Sequence, residues 1–136
     1  MDPKIWGPHA WIFLHSITMD FPKKPSEKDK QHYIQFFTSL GPVIPCPKCR
    51  KNYISYLGLH PPNVMSRDHL MKWLFKLHNW KNREANKPVW SYKRFLSHYR
   101  SQYNKNESYL FNKMCTTVFI GIIITFLLYK CTKESS

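Results

Sequence analysis

The sequence contains few acidic residues and few glycines for its length of 136 residues. Asp and Glu number 8 against 21 Lys and Arg, a formal net charge of +13, so exposed surfaces should attract anions such as phosphate, nucleic acid or anionic lipid. The 4 glycines form no glycine-rich phosphate loop, and no useful stretch alternates apolar with polar residues. Internal repeats are also absent. Without strands or repeats, the soluble part is predicted to be all-α.

Charge is missing altogether from one C-terminal run, which lies between Lys113 and Lys130. As a helix at 1.5 Å per residue, its roughly 16 residues span about 24 Å. That is slightly less than the ~30 Å of a bilayer core. Since flanking lysines can snorkel and the bilayer can thin, we predict a single transmembrane helix at 114–130, followed by a short tail at 131–136.

The orientation of this predicted anchor follows from the cations beside it, because positively charged flanks stay in the cytosol. Two lysines follow the run, whereas five cations precede it closely: Lys93, Arg94, Arg100, Lys105 and Lys113. The N-terminus has no charged region followed by an apolar stretch and a cleavage site, so no secretory signal is visible. The sequence therefore predicts a C-terminally anchored, single-pass membrane protein whose main domain faces the cytosol.

Helical periodicity, capping residues and prolines predict the remaining organisation. Residues 1–103 are expected to form a four-helix bundle with a short fifth helix, and the polar residues 104–113 a linker to the anchor. The first helix should end at Pro22, and a short third helix should carry two cysteines at its N-terminus. The other helix starts are predicted at serines that suit the N-cap position: Ser26, Ser66 and Ser91.

Those two cysteines, Cys46 and Cys49 in the stretch CPKC, could be half a zinc site, a structural staple or a redox dithiol. A structural zinc site needs four ligands, and no two histidines form a close pair at metal spacing. The other cysteines, Cys115 and Cys131, stand at opposite ends of the predicted membrane helix, roughly 24 Å apart. They are too far apart to bond to each other within one chain or to complete a zinc site.

A permanent structural disulfide between Cys46 and Cys49 is unattractive, because so small a loop removes little entropy from the unfolded chain and the cytosol is reducing. Reversible redox chemistry is favoured instead. The helix N-terminus and the cations Lys48, Arg50 and Lys51 stabilise a thiolate, which is the species that exchanges disulfides. A thioredoxin-like or zinc-binding CxxC protein stays an alternative, although the strand–helix context of thioredoxin is missing.

Three blocks resemble the signature blocks of the Erv/ALR family of FAD-linked sulfhydryl oxidases, in the same order and at similar separations. They are WGPHAWIFLH at 6–15, IPCPKC at 44–49 and WLFKLHNWKNREANKPVWSY at 73–92. The resemblance covers about residues 1–100. The compact form, which begins almost directly with the first block, is similar to the versions carried by large cytoplasmic DNA viruses, so the predicted location includes a virion or host membrane.

The resemblance implies a helical homodimer that holds FAD beside the CxxC, oxidises protein dithiols and passes the electrons to oxygen to give hydrogen peroxide. It also implies that Cys46 is the interchange thiol that meets the substrate and that Cys49 contacts the isoalloxazine. The positions that match cofactor-contacting residues of the family are Gly7, Trp11, His15, His78, Asn79, Asn82, Lys87 and Trp90.

The residues give this reading independent support. Trp11 and His15 are four positions apart, as are His78 and Asn82, so each pair faces one way on its helix. These pairs supply an aromatic surface and polar groups of the kind that adenine needs. Lys87, with its basic neighbours, is expected to meet the pyrophosphate.

The sequence departs from the family pattern at Lys81, where an apolar residue is usual, and at Pro8, where a basic residue is common. It also lacks the additional shuttle cysteine pair and the C-terminal structural disulfide of cellular members. The substrate is therefore expected to reach Cys46 directly, as a small thioredoxin-like or CxxC partner protein, and no specific nucleic acid is expected. The competing hypothesis is a non-enzymatic, basic, membrane-anchored protein that binds nucleic acid or anionic lipid.

Overall fold

The computed structural model describes the backbone of residues 1–134 and the side chains of residues 1–103, 109, 111 and 113–125. The described backbone contains helices and no strand, so the all-α prediction is confirmed. Two compact units divide the chain, Met1–Phe95 and Leu96–Ser136. In chain order the helices are α1 (Pro3–Asp20), α2 (Glu27–Val43), α3 (Pro47–Leu59), α4 (Arg67–Glu84) and α5 (Tyr92–Glu134).

Local capping explains where these helices begin. Ser26 and Asp29 form a reciprocal capping box at the start of α2, in which each side chain binds the other residue's backbone N–H. Ser66 accepts the N–H of His69 at the start of α4, and Ser91 accepts the N–H of Arg94 at the start of α5. The three serine caps predicted from the sequence are therefore confirmed.

The core of the first unit lies between two packed helix pairs, α1 with α4 and α2 with α3. Its fully buried side chains include Phe21, Phe37, Leu70, Leu74 and Leu77. Each such side chain stabilises the fold by about 1.5–3 kcal/mol relative to exposure. Three of these side chains, Leu70, Leu74 and Leu77, belong to α4, so the apolar face of α4 is the main part of the core.

The approach of α2 to α3 is close because Gly41 has no side chain. A Cβ at this position would lie 3.0 Å from Cγ1 of Ile54 and 3.4 Å from Cδ1 of Tyr53. The hydroxyl of buried Tyr53 donates to the carbonyl of Phe37 at 2.9 Å, and burial raises the pKa of that hydroxyl. This contact fixes the helix that carries the cysteines against its neighbour.

The extent of α5 differs from the expectation. The fifth helix was predicted to be short and to end near Tyr103. Instead α5 is 43 residues long and runs on through positions 104–113. The physical reason is that the stretch SQYNKNES contains neither Gly nor Pro, so nothing in it breaks a helix. The use of 104–113 as a linker between a domain and an anchor stays a prediction.

The second unit contains the stretch predicted to cross a membrane. Within the part of the chain that the structure describes, no helix has the length and apolar character needed to span a bilayer. The side chains of residues 126–130, which complete the predicted membrane helix, lie outside the described residues. The apolar side chains described between Met114 and Ile124 are exposed.

Candidate active site

Cys46 and Cys49 are joined by a disulfide at the start of α3, with their Cα atoms 5.2 Å apart. Cys46 is the N-cap of this helix, and its Sγ accepts the backbone N–H of Cys49 at 3.2 Å. Pro47 occupies the first helical position, where its missing N–H costs nothing. The sulfur of Cys46 therefore stands where the helix dipole and the N–H of Cys49 both favour a thiolate.

The backbone around the disulfide is held by Arg50 and Ile44. The N–H of Cys46 and the guanidinium of Arg50 both donate to the carbonyl of Ile44, at 2.8 Å and 3.2 Å. Both cysteines are half-buried, and among the described residues no three His, Cys, Asp or Glu side chains gather as a metal site would require. The arrangement leaves the disulfide fixed in position and partly accessible.

A second group of side chains, which we name the histidine–aromatic cluster, comprises Trp11, His15, His78, Trp90 and Phe95. The ring of Trp11 stacks on that of His78, with centroids 3.9 Å apart and an interplanar angle of 5°. Fully buried His15 places Nε2 3.0 Å from Nδ1 of His78. The ring of Phe95 meets that of His15 edge-on, with centroids 4.5 Å apart, and the ring centroids of Trp90 and His78 are 6.5 Å apart.

The packing of α1 against α4 creates this cluster. Four of its members, Trp11, His15, His78 and Trp90, were predicted site residues, and the structure brings them together. Their contact with a cofactor stays a prediction. The contact between His15 and His78 requires one ring nitrogen to donate and the other to accept. Phe95 was not among the predicted site residues, because only the direction of α5 brings its first turn to His15.

Asn79 has a structural role that its sequence block does not reveal. Its amide Nδ2 donates to the carbonyl of Trp90 at 2.8 Å, while its Oδ1 accepts the N–H of Trp90 at 3.0 Å. Both polar atoms of this buried side chain thus hold Trp90 against α4. We call this pair of bonds the Asn79 clamp. A contact between Asn79 and a cofactor stays a prediction.

The remaining predicted residues lie at the ends of the cluster's helices. Half-buried Asn82 accepts the N–H of Lys87 on its carbonyl at 2.8 Å, which closes the turn after α4 around Asn86, at a φ of 52°. Lys87 is exposed. Gly7 precedes Trp11 by one turn, and a Cβ there would meet no atom within 4 Å. Their cofactor contacts stay predictions.

Lys81, which departs from the family pattern, is half-buried and takes part in a polar bridge between α4 and α3. Its Nζ lies 3.3 Å from Oε2 of Glu84, and Nδ2 of Asn52 donates to the same oxygen at 2.6 Å. The bridge joins the C-terminal end of α4 to the helix that carries the disulfide. A charged residue is tolerated at this position because the carboxylate of Glu84 pairs with it.

Trp11, Cys46 and Cys49 all pack against the same buried core. A disulfide at a helix N-terminus and a histidine–aromatic cluster, built into one helical unit, define the class of helical thiol–disulfide redox domains. The family model described as Erv1 / Alr matches residues 8–108. The chain belongs to the Erv1/Alr family, and the family predicted from its sequence blocks is confirmed.

Named relatives agree with this assignment. The chain is 38% identical over 95 residues to a probable FAD-linked sulfhydryl oxidase of Acanthamoeba polyphaga mimivirus, covering 68% of this chain and 66% of the relative. It is 30% identical over 104 residues to the FAD-linked sulfhydryl oxidase of African swine fever virus, covering 76% and 87%. It is 32% identical over 82 residues to the mitochondrial FAD-linked sulfhydryl oxidase of Saccharomyces cerevisiae, of which it covers 43%.

The fold is similar to a solved structure as well. The FAD binding domain of Erv1 from Saccharomyces cerevisiae superposes with a TM-score of 0.66 at 31% identity, covering 67% of this chain and 87% of that one. The chain therefore spans most of that domain, and between two fifths and two thirds of the mimivirus and yeast relatives.

Proposed function

We propose that the chain is an FAD-dependent thiol oxidase that forms disulfides in protein substrates. The reaction converts two thiols and oxygen into a disulfide and hydrogen peroxide. The observation that carries this proposal is the Cys46–Cys49 disulfide, with Cys46 as the N-cap of α3, in a chain of the Erv1/Alr family.

The residues present fit FAD, the cofactor in the names of the relatives. The stacked rings of Trp11 and His78 offer a flat surface for an aromatic ring system, and the position of Gly7 leaves space beside it. Exposed Lys87 and Arg94, the latter 4.9 Å above the ring of Trp90, supply cations for a pyrophosphate. When bound, FAD accepts the two electrons of the dithiol and transfers them to oxygen.

The protein's own part of the reaction is disulfide exchange. A substrate thiolate attacks Sγ of Cys46, which breaks the Cys46–Cys49 bond and releases Cys49 as the thiolate. The second substrate thiol then attacks the substrate sulfur of the mixed disulfide, so the substrate leaves oxidised and Cys46 leaves as the thiolate. The N–H of Cys49 and the α3 dipole stabilise that leaving group. Cys46 and Cys49 then re-form their disulfide and give up two electrons, which FAD, when bound, would take up, and this completes the cycle.

The electron donor in this proposal is a small thioredoxin-like or CxxC protein that reaches Cys46 directly. One support is the partial exposure of Cys46. The other is that the remaining cysteines of the sequence, Cys115 and Cys131, are separated by 15 intervening positions and so do not form a second CxxC that could pass electrons to Cys46. Oxygen is the proposed acceptor. These assignments extend the thiol chemistry of the family to this chain's own geometry.

A homodimer is also proposed, and one apolar face of α1 supports it. Ile5, Ile12 and Phe13 are 74%, 40% and 59% exposed and stand at spacings of seven and eight residues, which places them on the same side of the helix. Phe13→Glu should therefore convert a dimer to a monomer in light scattering after gel filtration. A dimer unaffected by Phe13→Glu would place the interface elsewhere.

We propose in addition that residues 114–130 anchor the chain in a membrane, in the virion or host, with the catalytic domain facing the cytosol. The support is the charge-free run and the exposed apolar side chains described within it. A full chain that resists alkaline extraction from membranes, while a chain ending at residue 113 is released, would support the anchor. Release of the full chain would refute it.

Purification of the full chain in detergent tests the enzymatic proposal. The expected product is yellow, with a flavin spectrum, and consumes oxygen in the presence of dithiothreitol; Cys49→Ser should abolish that consumption and leave FAD bound. The basic binding protein, which the net charge of +13 favours, would instead be colourless and bind nucleic acid in a salt-sensitive way after loss of both cysteines. Colourless protein refutes the oxidase.

A further inference from the structure

The first turns of α3 expose two lysines beside the disulfide. Lys48 lies between the cysteines and Lys51 follows three residues later, so both point to the same side of the helix. Neither lysine forms an ion pair with any described residue. Arg50, in contrast, directs its guanidinium to the carbonyl of Ile44. The two lysine charges thus face solvent next to the reactive sulfur.

The surrounding chain supplies no carboxylate of its own. Not one Asp or Glu stands between Asp29 and Asp68, a stretch that includes most of α2 and all of α3. Among the residues whose side chains the structure describes, Glu84 reaches α3, where its carboxylate accepts from Asn52 and pairs with Lys81. The potential over the N-terminal end of α3 is therefore positive, and the helix dipole adds to it.

Apolar side chains border these cations. Val43, three residues before Cys46, is 69% exposed, and Ile54, one turn after Lys51, is 48% exposed. Cγ1 of Ile54 lies 3.0 Å from a Cβ built on Gly41, so the end of α2 and the exposed side of α3 are neighbours. We name Val43, Lys48, Lys51 and Ile54 the disulfide rim. It combines apolar area with unpaired positive charge around a partly exposed disulfide.

We propose that the disulfide rim docks a protein dithiol whose cysteines are flanked by carboxylates, which makes the substrate an acidic CxxC protein. The inference rests on the proposed oxidase function and names the substrate's chemistry. Carboxylates of the substrate pair with Lys48 and Lys51 while an apolar side chain covers Val43 and Ile54. Charge complementarity of this kind chiefly raises the rate of productive encounter and selects against basic partners.

The expected selectivity follows from two exposed ion pairs. Each such pair is weak by itself because water screens it, and repulsion of a basic substrate adds to the contrast. Together they predict roughly a tenfold preference for an acidic over a basic substrate at low ionic strength. Because the Debye length falls from about 30 Å at 0.01 M salt to about 3 Å at 1 M, the preference should nearly vanish at high salt.

The test compares oxygen consumption by the FAD-loaded full chain in detergent with three CxxC peptides that differ only in the flanking residues, which are Glu, Gln or Lys. The expected order of kcat/KM is Glu above Gln above Lys at low salt. Lys51→Glu should remove or invert that order. The matched control is Lys23→Glu, an exposed lysine beyond the other end of α2, roughly 25 Å along the helix from Val43, which should preserve it.

Two results would overturn the proposal and can be told apart from failure of the oxidase itself. Equal kcat/KM for the Glu and Lys peptides at low salt, with dithiothreitol oxidised normally, refutes acidic docking and leaves the oxidase intact. A preference that survives Lys51→Glu unchanged refutes the disulfide rim as its origin. Protein that neither binds FAD nor oxidises dithiothreitol removes the proposed function and this inference with it.

Discussion

Replacement of Asn79 by alanine removes both bonds of the Asn79 clamp, which are those to the N–H and to the carbonyl of Trp90. A hydrogen bond between neutral groups contributes about 0.5–1.5 kcal/mol, and an unsatisfied buried group costs about 1–3 kcal/mol. Since Trp90 is half-buried, water can partly replace the lost partners. We expect Asn79→Ala to lower the free energy of unfolding by about 2–3 kcal/mol.

The measurement is chemical denaturation followed by circular dichroism, with thermal unfolding as a second readout. For a domain of about 60–100 residues, 1 kcal/mol shifts Tm by about 4–8 °C, so a fall of roughly 8–24 °C is expected for 2–3 kcal/mol. Because the clamp positions Trp90 beside His78 and Arg94, FAD affinity measured by flavin fluorescence should fall as well. Asn79→Asp keeps the acceptor for the N–H but turns a carboxylate toward the carbonyl, and should not restore stability.

The matched control is Asn63→Ala. Oδ1 of Asn63 accepts the N–H of exposed Met65 at 3.2 Å within one turn of chain, and loss of such a solvated contact should cost less than about 0.5 kcal/mol. If Asn79→Ala cost no more than this control, the two bonds would not hold the Trp90 segment and the reasoning would be refuted.

Three further predictions concern the helices around the disulfide. Tyr53→Phe removes the buried hydrogen bond to the carbonyl of Phe37 and should cost about 1–2 kcal/mol in urea unfolding. Because burial raises the pKa of Tyr53, the stability that it contributes should be complete below pH ~10 and fall as the pH rises above it. The variant should show a weaker fall than the wild type, since burial also raises the pKa of Tyr33, Tyr56 and Tyr99, and an equal fall would contradict the role of Tyr53. In the reduced protein, iodoacetamide at pH 7 should alkylate the N-capping Cys46 about three- to tenfold faster than it alkylates glutathione in the same solution, and equal rates in mass spectrometry would contradict the role of the helix N-terminus. Lys81→Leu should change the free energy of unfolding by less than about 1 kcal/mol, because its ion pair is partly exposed; a larger loss would mean that the polar bridge stabilises α3 more than partly exposed pairs usually do.

Helix starts were predictable because their signals are local. Ser26 and Ser66 each satisfy the backbone N–H three residues later, so the sequence alone contains both partners. The end of the fifth helix was predicted wrongly, because the local signal used for it does not in fact end a helix. Its polar residues look like a connection, yet polarity does not terminate a helix in the absence of Gly, Pro or a competing cap.

The sequence allowed us to predict which residues belong to the candidate site, but not which of them contact one another. Helical spacing places Trp11 and His15 on one face, but their contact with His78 depends on how α1 packs against α4. The Asn79 clamp depends further on a turn that includes Asn86 at positive φ, which no local pattern specified. Sequence reasoning therefore identifies residues that share a helix face, whereas partners across a turn or between helices require the packed structure.

The cap of α3 and the proposed reactive sulfur are the same atom, Sγ of Cys46. Because one atom has both roles, the stability of the N-terminus of α3 and the midpoint potential of the disulfide are linked in one thermodynamic cycle. Whatever strengthens the bond between the reduced sulfur and the N–H of Cys49 stabilises the dithiol form relative to the disulfide. A substitution that steadies the N-terminus of α3 in the reduced protein should therefore raise the midpoint potential, and one that frays it should make the same disulfide a weaker oxidant.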